Sequence, residues 1–115
     1  MKYLKSYENI NEEEPQIDDY VIAIPINMIQ NAEHFFNNTI GIISNITNNI
    51  HEKYIAVEYE NIPPFISAYY CRWRERTDGT QYRENLIWFE RNMIIYFSKN
   101  KEDIETHLTL NKYNI

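Results

Sequence analysis

Apolar and polar side chains alternate along residues 54–60, with Ile55, Val57 and Tyr59 on one side and Ala56, Glu58 and Glu60 on the other. A period of two marks a strand with one buried face and one wet face. Tyr20–Ile24 reads as an earlier strand, stopped by Pro25. Ile40–Ile46 reads as the next, introduced by Gly41. Asn48 and Asn49 supply the turn after it, because asparagine tolerates left-handed backbone. Pro63-Pro64 breaks the chain, and two strand-like runs, Ile66–Arg76 and Gln81–Arg91, then flank Thr77-Asp78-Gly79-Thr80. Asp-Gly between such runs predicts a hairpin with two loop residues, both at positive φ. Met93–Phe97 is a last short strand. Residues 26–39 show no clear period and predict a long loop or a short helix around Met28–Phe36.

The two ends read differently. In residues 1–18, Tyr3, Tyr7 and Ile10 are spaced for one face of a short helix, and Glu12-Glu13-Glu14-Pro15 ends that pattern. This stretch is expected to be an acidic mobile arm, with residues 19–115 forming a single domain. Near the other end, Ser98 or Asn100 can cap a helix over about 101–112. Glu102 and Asp103 suit its first turn, and Ile104 and Leu108 give it a narrow apolar stripe for docking on a sheet.

Composition narrows the class. The chain has 115 residues, 43% hydrophobic and 15% aromatic, which suits one domain with one small core. Ile occurs 19 times, Asn 15 and Tyr 10, against two glycines; this bias fits AT-rich codons and favours strands. A net charge of −6 opposes non-specific binding to nucleic acid or to an anionic membrane. The lone cysteine, Cys71, excludes a disulfide-stapled fold. Residues 1–14 lack the apolar stretch of a signal peptide, and no apolar run reaches the ~20 residues that span a bilayer. The expected location is therefore the cytoplasm, including that of an infected cell.

Several segments resemble known families. Asp18-Asp19-Tyr20-Val21-Ile22-Ala23 resembles the "GDYV" opening of SH3-like barrels, with Asp18 where those folds usually have glycine. Ile40-Gly41-Ile42-Ile43 resembles their second strand, Tyr54–Asn61 their third, and Arg91–Phe97 their fourth and fifth. The resemblance covers roughly 18–97, with an enlarged hairpin at 66–91. It implies a mostly β fold, a small SH3-like barrel or roll with an extended β-hairpin and a C-terminal α-helix. The two ends, Met1–Glu12 and Phe97–Glu105 with Asn111–Ile115, resemble small uncharacterised proteins of tailed phages and marine metagenomes. That likeness implies a viral setting, in the host cytoplasm or the virion.

The hairpin holds the main candidate site. If Asp78-Gly79 form the loop, Arg76 faces Gln81, Arg74 faces Arg83, Arg72 faces Asn85 and Tyr70 faces Ile87. Tyr70, Arg72, Arg74 and Arg76 then share one side, while Tyr69, Cys71, Trp73, Leu86 and Trp88 share the other. Arg74 opposite Arg83 is a like-charge pair that an anion would relieve. Guanidinium forks suit phosphate or carboxylate. Three outcomes fit: a nucleic acid held by charge and stacking, an acidic protein surface or this chain's own Glu12–Glu14, or plain neutralisation by acidic neighbours and solvent. Net charge favours protein over nucleic acid.

Other chemistry is sparse. Ile10-Asn11-Glu12 resembles the Leu/Ile-x-Glu site at which the head protease of some tailed phages trims packaged proteins, although Ile50-His51-Glu52 matches equally. His34, His51 and His107 have no zinc spacing. Asp103 and His107, four apart on the last helix, suit an ion pair. Cys71 lacks a local activating partner and is expected to be a buried, inert thiol. Glu58 and Glu60 read as a solvated face, and Phe35, Phe36 and Phe65 as covers for the ends of the barrel or a sticky patch. No cofactor motif is present. The expected function is a non-enzymatic interaction module, a viral accessory protein that binds another protein; the alternative is a virion-packaged or nucleic-acid-associated accessory protein using the arginine hairpin.

Overall fold

A computed structural model describes residues 14–48 and 53–113. Six strands run through it: β1 (Tyr20–Ala23), β2 (Gly41–Asn48), β3 (Lys53–Glu58), β4 (Cys71–Glu75), β5 (Gln81–Glu90) and β6 (Ile94–Ser98). They form one sheet in the order β4-β5-β3-β2-β1-β6, antiparallel throughout. The sheet is open, with β4 and β6 as its edges. Helix α1 (Glu33–Asn38) lies in the β1–β2 connection, α2 (Pro64–Tyr70) precedes β4, and α3 (Lys101–Tyr113) follows β6. The mostly β class and the terminal helix are as expected. Arg91–Phe97 differs from the resemblance: it holds a 3-10 turn (Arg91–Met93) and one strand, not two strands.

The expected strand from Ile66 is the largest difference. Residues 64–70 are helical, and only Cys71 onward is strand. Pro64 stands in the first turn, where its missing N–H costs nothing, and the amides of Ile66 and Ser67 donate to the Pro63 carbonyl. Ile66 is buried and Tyr70 packs on the core, whereas Phe65 and Tyr69 face solvent. The spacing of four within each pair is helical, and burial on one side outweighs the strand preference of Ile and Tyr.

One face of the sheet carries the core. Val21, Ile43, Ile55, Val57, Ile87 and Phe89 point into it, covered by Phe35 and Phe36 of α1 and Ile66 of α2. Phe35 and Phe36 thus cover the core, whereas Phe65 stays largely exposed. The Phe36 ring lies 5.1 Å from Phe35, 5.0 Å from Tyr70, 6.1 Å from Phe89 and 6.5 Å from Tyr59, edge to face with each. A six-residue helix has no stability of its own, so this packing holds α1 in place. On the other face α3 lays the fully buried Ile104, and His107 stacks on Tyr96 at 4.3 Å.

Tyr59 crosses β2 at Gly41. A Cβ there would collide with Val57 Cγ1 and lie 3.0 Å from Tyr59 Cε1, so Gly41 is needed for close approach rather than for an unusual φ.

The folded body begins before the expected boundary at residue 19. Glu14 accepts from Lys53 Nζ and Arg91 Nε, each at 3.1 Å, and Lys53 holds its carboxyl below the usual range. Pro15 is fully buried. Asp19, also buried, accepts from the Gln16 amide at 2.8 Å and from Lys99 Nζ at 3.1 Å. The Asp18 amide donates to the Ile43 carbonyl with Asp18 at φ +77°. The candidate processing site Ile10-Asn11-Glu12 and His51 lie outside the described residues.

Three substitutions test these readings in denaturant unfolding. Gly41→Ala should cost about 1–3 kcal/mol through overpacking. At the left-handed position, Asp18→Gly should be neutral or stabilising by up to ~1 kcal/mol, whereas Asp18→Val should cost about 1–2 kcal/mol.

Candidate functional site

The β4–β5 hairpin is built by its loop. The Gly79 amide donates to the Arg76 carbonyl at 2.9 Å, and the Arg76 amide donates to the Thr80 carbonyl at 2.7 Å. Gly79 has φ +92°, while Asp78 is not among the positive-φ residues. Asp78 instead uses its carboxylate, whose Oδ1 accepts from the Thr80 amide at 3.0 Å and the Thr80 hydroxyl at 2.7 Å. These bonds hold the Asp78 carboxyl below its usual range. The loop therefore spans Thr77-Asp78-Gly79, one residue more than expected, with only glycine left-handed.

That extra residue moves the register by one. Arg74 lies opposite Tyr82, Trp73 opposite Arg83 and Glu75 opposite Gln81, with a bulge between Trp73 and Cys71. The expected like-charge pair Arg74–Arg83 does not form. Arg83 falls on the other face, where its guanidinium sits 4.3 Å from the Trp73 ring centre and donates to the Cys71 carbonyl at 2.9 Å. Arg72, Arg74 and Arg76 do share a side, as expected. Each has a partner there: Arg72 lies 4.8 Å over Trp88, Arg76 lies 4.4 Å over Tyr82, and Arg74 Nε donates to Glu84 Oε2 at 2.6 Å. The Glu84 side chain is 11% exposed and Arg74 51%. Glu84 Oε1 and Trp88 Nε1 are buried without a hydrogen-bond partner among the described residues.

Tyr70 leaves the site. It ends α2, and its hydroxyl accepts from the Ile29 amide at 2.9 Å and donates to the Asn27 carbonyl at 3.0 Å. It clasps the β1–α1 connection. Trp73, 56% exposed, and Tyr82 and Glu84 are the members that the expected register concealed. Arg72, Trp73 and Arg74 alternate along β4, and that spacing was the available signal. Exposed guanidinium–aromatic pairs of this kind contribute about 0.5–1 kcal/mol each.

Cys71 is buried, and burial pushes its thiol up from the ordinary value, opposing thiolate chemistry. His34 Nδ1 lies 3.3 Å from the Asn38 amide nitrogen. Glu58 Oε2 accepts from Asn85 Nδ2 at 3.3 Å, beside a pocket of about 410 Å³ that Glu60 and Lys101 also line. Among the described residues, no three of His, Cys, Asp and Glu come together as a metal-holding group, and no helix is long and apolar enough to cross a membrane.

Unfolding midpoints should separate the clasp from the exposed site. Tyr70→Phe should cost about 1–2 kcal/mol, because the Ile29 amide loses its acceptor. Trp73→Ala should change stability by less than ~1 kcal/mol. Compared with known protein families, curated proteins and solved structures, the chain matches none.

Proposed function

We propose that the chain is a non-enzymatic interaction module whose β4–β5 hairpin docks another protein. One observation carries this reading: Trp73, more than half exposed at the sheet edge, has Arg83 laid on its ring, and the opposite face of the same hairpin carries Arg72, Arg74 and Arg76, each laid on an aromatic ring or a carboxylate. Trp, Tyr and Arg are the residue types that concentrate binding energy at protein interfaces. Their mutual stacking keeps the side chains ordered before a partner arrives, which lowers the entropy lost on docking.

An SH3-like fold is part of the proposal. It is supported by the adjacency of the segments that carry the resemblance, since β1, β2 and β3 are neighbours and β6 flanks β1. It is also supported by the left-handed backbone at Asp18, the position where such barrels usually have glycine. A viral setting rests on the likeness of the two chain ends to small phage proteins. The same arginines and aromatics could stack on single-stranded nucleic acid, but a net charge of −6 and the Arg74–Glu84 pair weigh against it.

Affinity capture with wild type and with the double variant Trp73→Ala/Arg72→Ala tests the proposal. A protein retained by the wild type and lost by the variant is the expected result. Identical capture by both, or nuclease-sensitive retention that weakens steeply with salt, would overturn it.

A further inference from the structure

The hydrogen-bond pattern of the hairpin shows which peptide groups of β4 are spoken for. The Arg76 amide bonds to the Thr80 carbonyl, so Arg76 and Thr80 are a bonded pair of the ladder. Bonded and non-bonded pairs alternate along an antiparallel ladder. Arg74–Tyr82 is therefore the next bonded pair, and Glu75–Gln81 and Trp73–Arg83 are the non-bonded ones. The peptide groups of Arg74 and Arg76 thus point into the sheet, and those of Trp73 and Glu75 point out of its edge. No strand among the described residues pairs with that side, because β4 ends the sheet.

An edge of this kind pairs with extended chain, and its side chains decide which chain. A second copy is disfavoured by parity. Antiparallel self-pairing through the outward groups sets odd-numbered residues of one β4 opposite odd-numbered residues of the other, so even faces even. The even positions are Arg72, Arg74 and Arg76, and every such register places arginine opposite arginine. The same row favours an acidic strand. Glu84 takes only Nε of Arg74, leaving the terminal nitrogens of that fork free of hydrogen bonds among the described residues. Arg72 and Arg76 are held over rings; Arg76 Nη1 also donates to the Thr80 hydroxyl at 3.3 Å, which leaves its other terminal nitrogen, and the edge of Arg72, to carboxylates. On the opposite face of β4, Trp73 offers an exposed ring to an apolar or β-branched neighbour.

We infer that β4 is the receiving edge for an extended acidic segment of the partner protein, which adds to the sheet with carboxylates opposite Arg72, Arg74 and Arg76 and apolar residues beside Trp73. This rests on the hairpin being the docking surface and specifies the partner and its mode of docking.

The test uses the full-length, 15N-labelled chain and the blocked peptide acetyl-TEVEVET-amide, with acetyl-TKVKVKT-amide as control. The acidic peptide should bind saturably, and at about 90% occupancy it should slow amide exchange of Trp73 and Glu75 roughly tenfold while leaving Arg74 unchanged. The lysine peptide should not bind. Glu75→Pro, which removes an outward N–H and no bond of the ladder, should weaken binding severalfold in a chain whose spectrum remains folded. N-methylation of the peptide along its pairing edge should do the same without altering the protein. Shifts at the arginines with unchanged exchange at Trp73 and Glu75 would overturn strand addition and leave the interaction-module reading standing. So would equal binding of the lysine peptide, no binding of either peptide, or protection of the same two amides by self-association without peptide.

Discussion

The Phe36 ring is the point at which the separate parts of this chain are held together. It touches a helix-mate in Phe35, a strand residue in Phe89, the residue after β3 in Tyr59 and the end of α2 in Tyr70. Neither α1 nor α2 is long enough to persist alone, so both depend on this cluster. Tyr70 adds a second tie through its hydroxyl, which bridges backbone groups of the β1–α1 connection. With α2 so placed, the chain enters the sheet at Cys71, which is buried, and β4 becomes the short outer strand of the hairpin. The position of the exposed arginines is therefore set from inside the core.

Electrostatics on the hairpin follow from a single extra loop residue. With two loop residues, guanidiniums would oppose each other across the ladder. With three, aromatic rings fall opposite or beside them, and Arg74 reaches Glu84. Repulsion is replaced by stacked pairs and one ion pair, exposed or half-buried, which together order long side chains that would otherwise sample many rotamers. Elsewhere acidic groups are taken up by lysines and another arginine, as where Glu14 binds Lys53 and Arg91 and Asp19 binds Lys99. The hairpin is thus locally arginine-rich on an acidic protein. The same arginines guard the sheet edge against self-pairing while leaving it open to a segment of opposite charge.

Much of this architecture was legible in the chain itself. Alternation located β3, while proline, glycine and the Asp-Gly bend marked off β1, β2 and β5, because breaks and bends follow from local geometry. The terminal helix was legible from its apolar pair and its acidic first turn, and Gly79 from the need for a left-handed residue at the bend. The arginine row Arg72, Arg74 and Arg76 was legible because parity along one strand needs no knowledge of its partner.

Beyond the hairpin pairing, what needed the tertiary structure was how segments meet and in which register. Ile66–Tyr70 has strand-forming composition, and only the burial of Ile66 and Tyr70 against the aromatic cluster makes it helical. The register of Arg83, and hence whether it repels Arg74 or stacks on Trp73, depended on a loop closed by the Asp78 side chain rather than by Asp78 backbone. The sequence by itself determined which side chains alternate and where the chain must bend, because those follow from local geometry. The structure alone decided which strand lies at the edge and which face each arginine meets, because pairing partners are chosen by core packing over distances that local pattern does not encode.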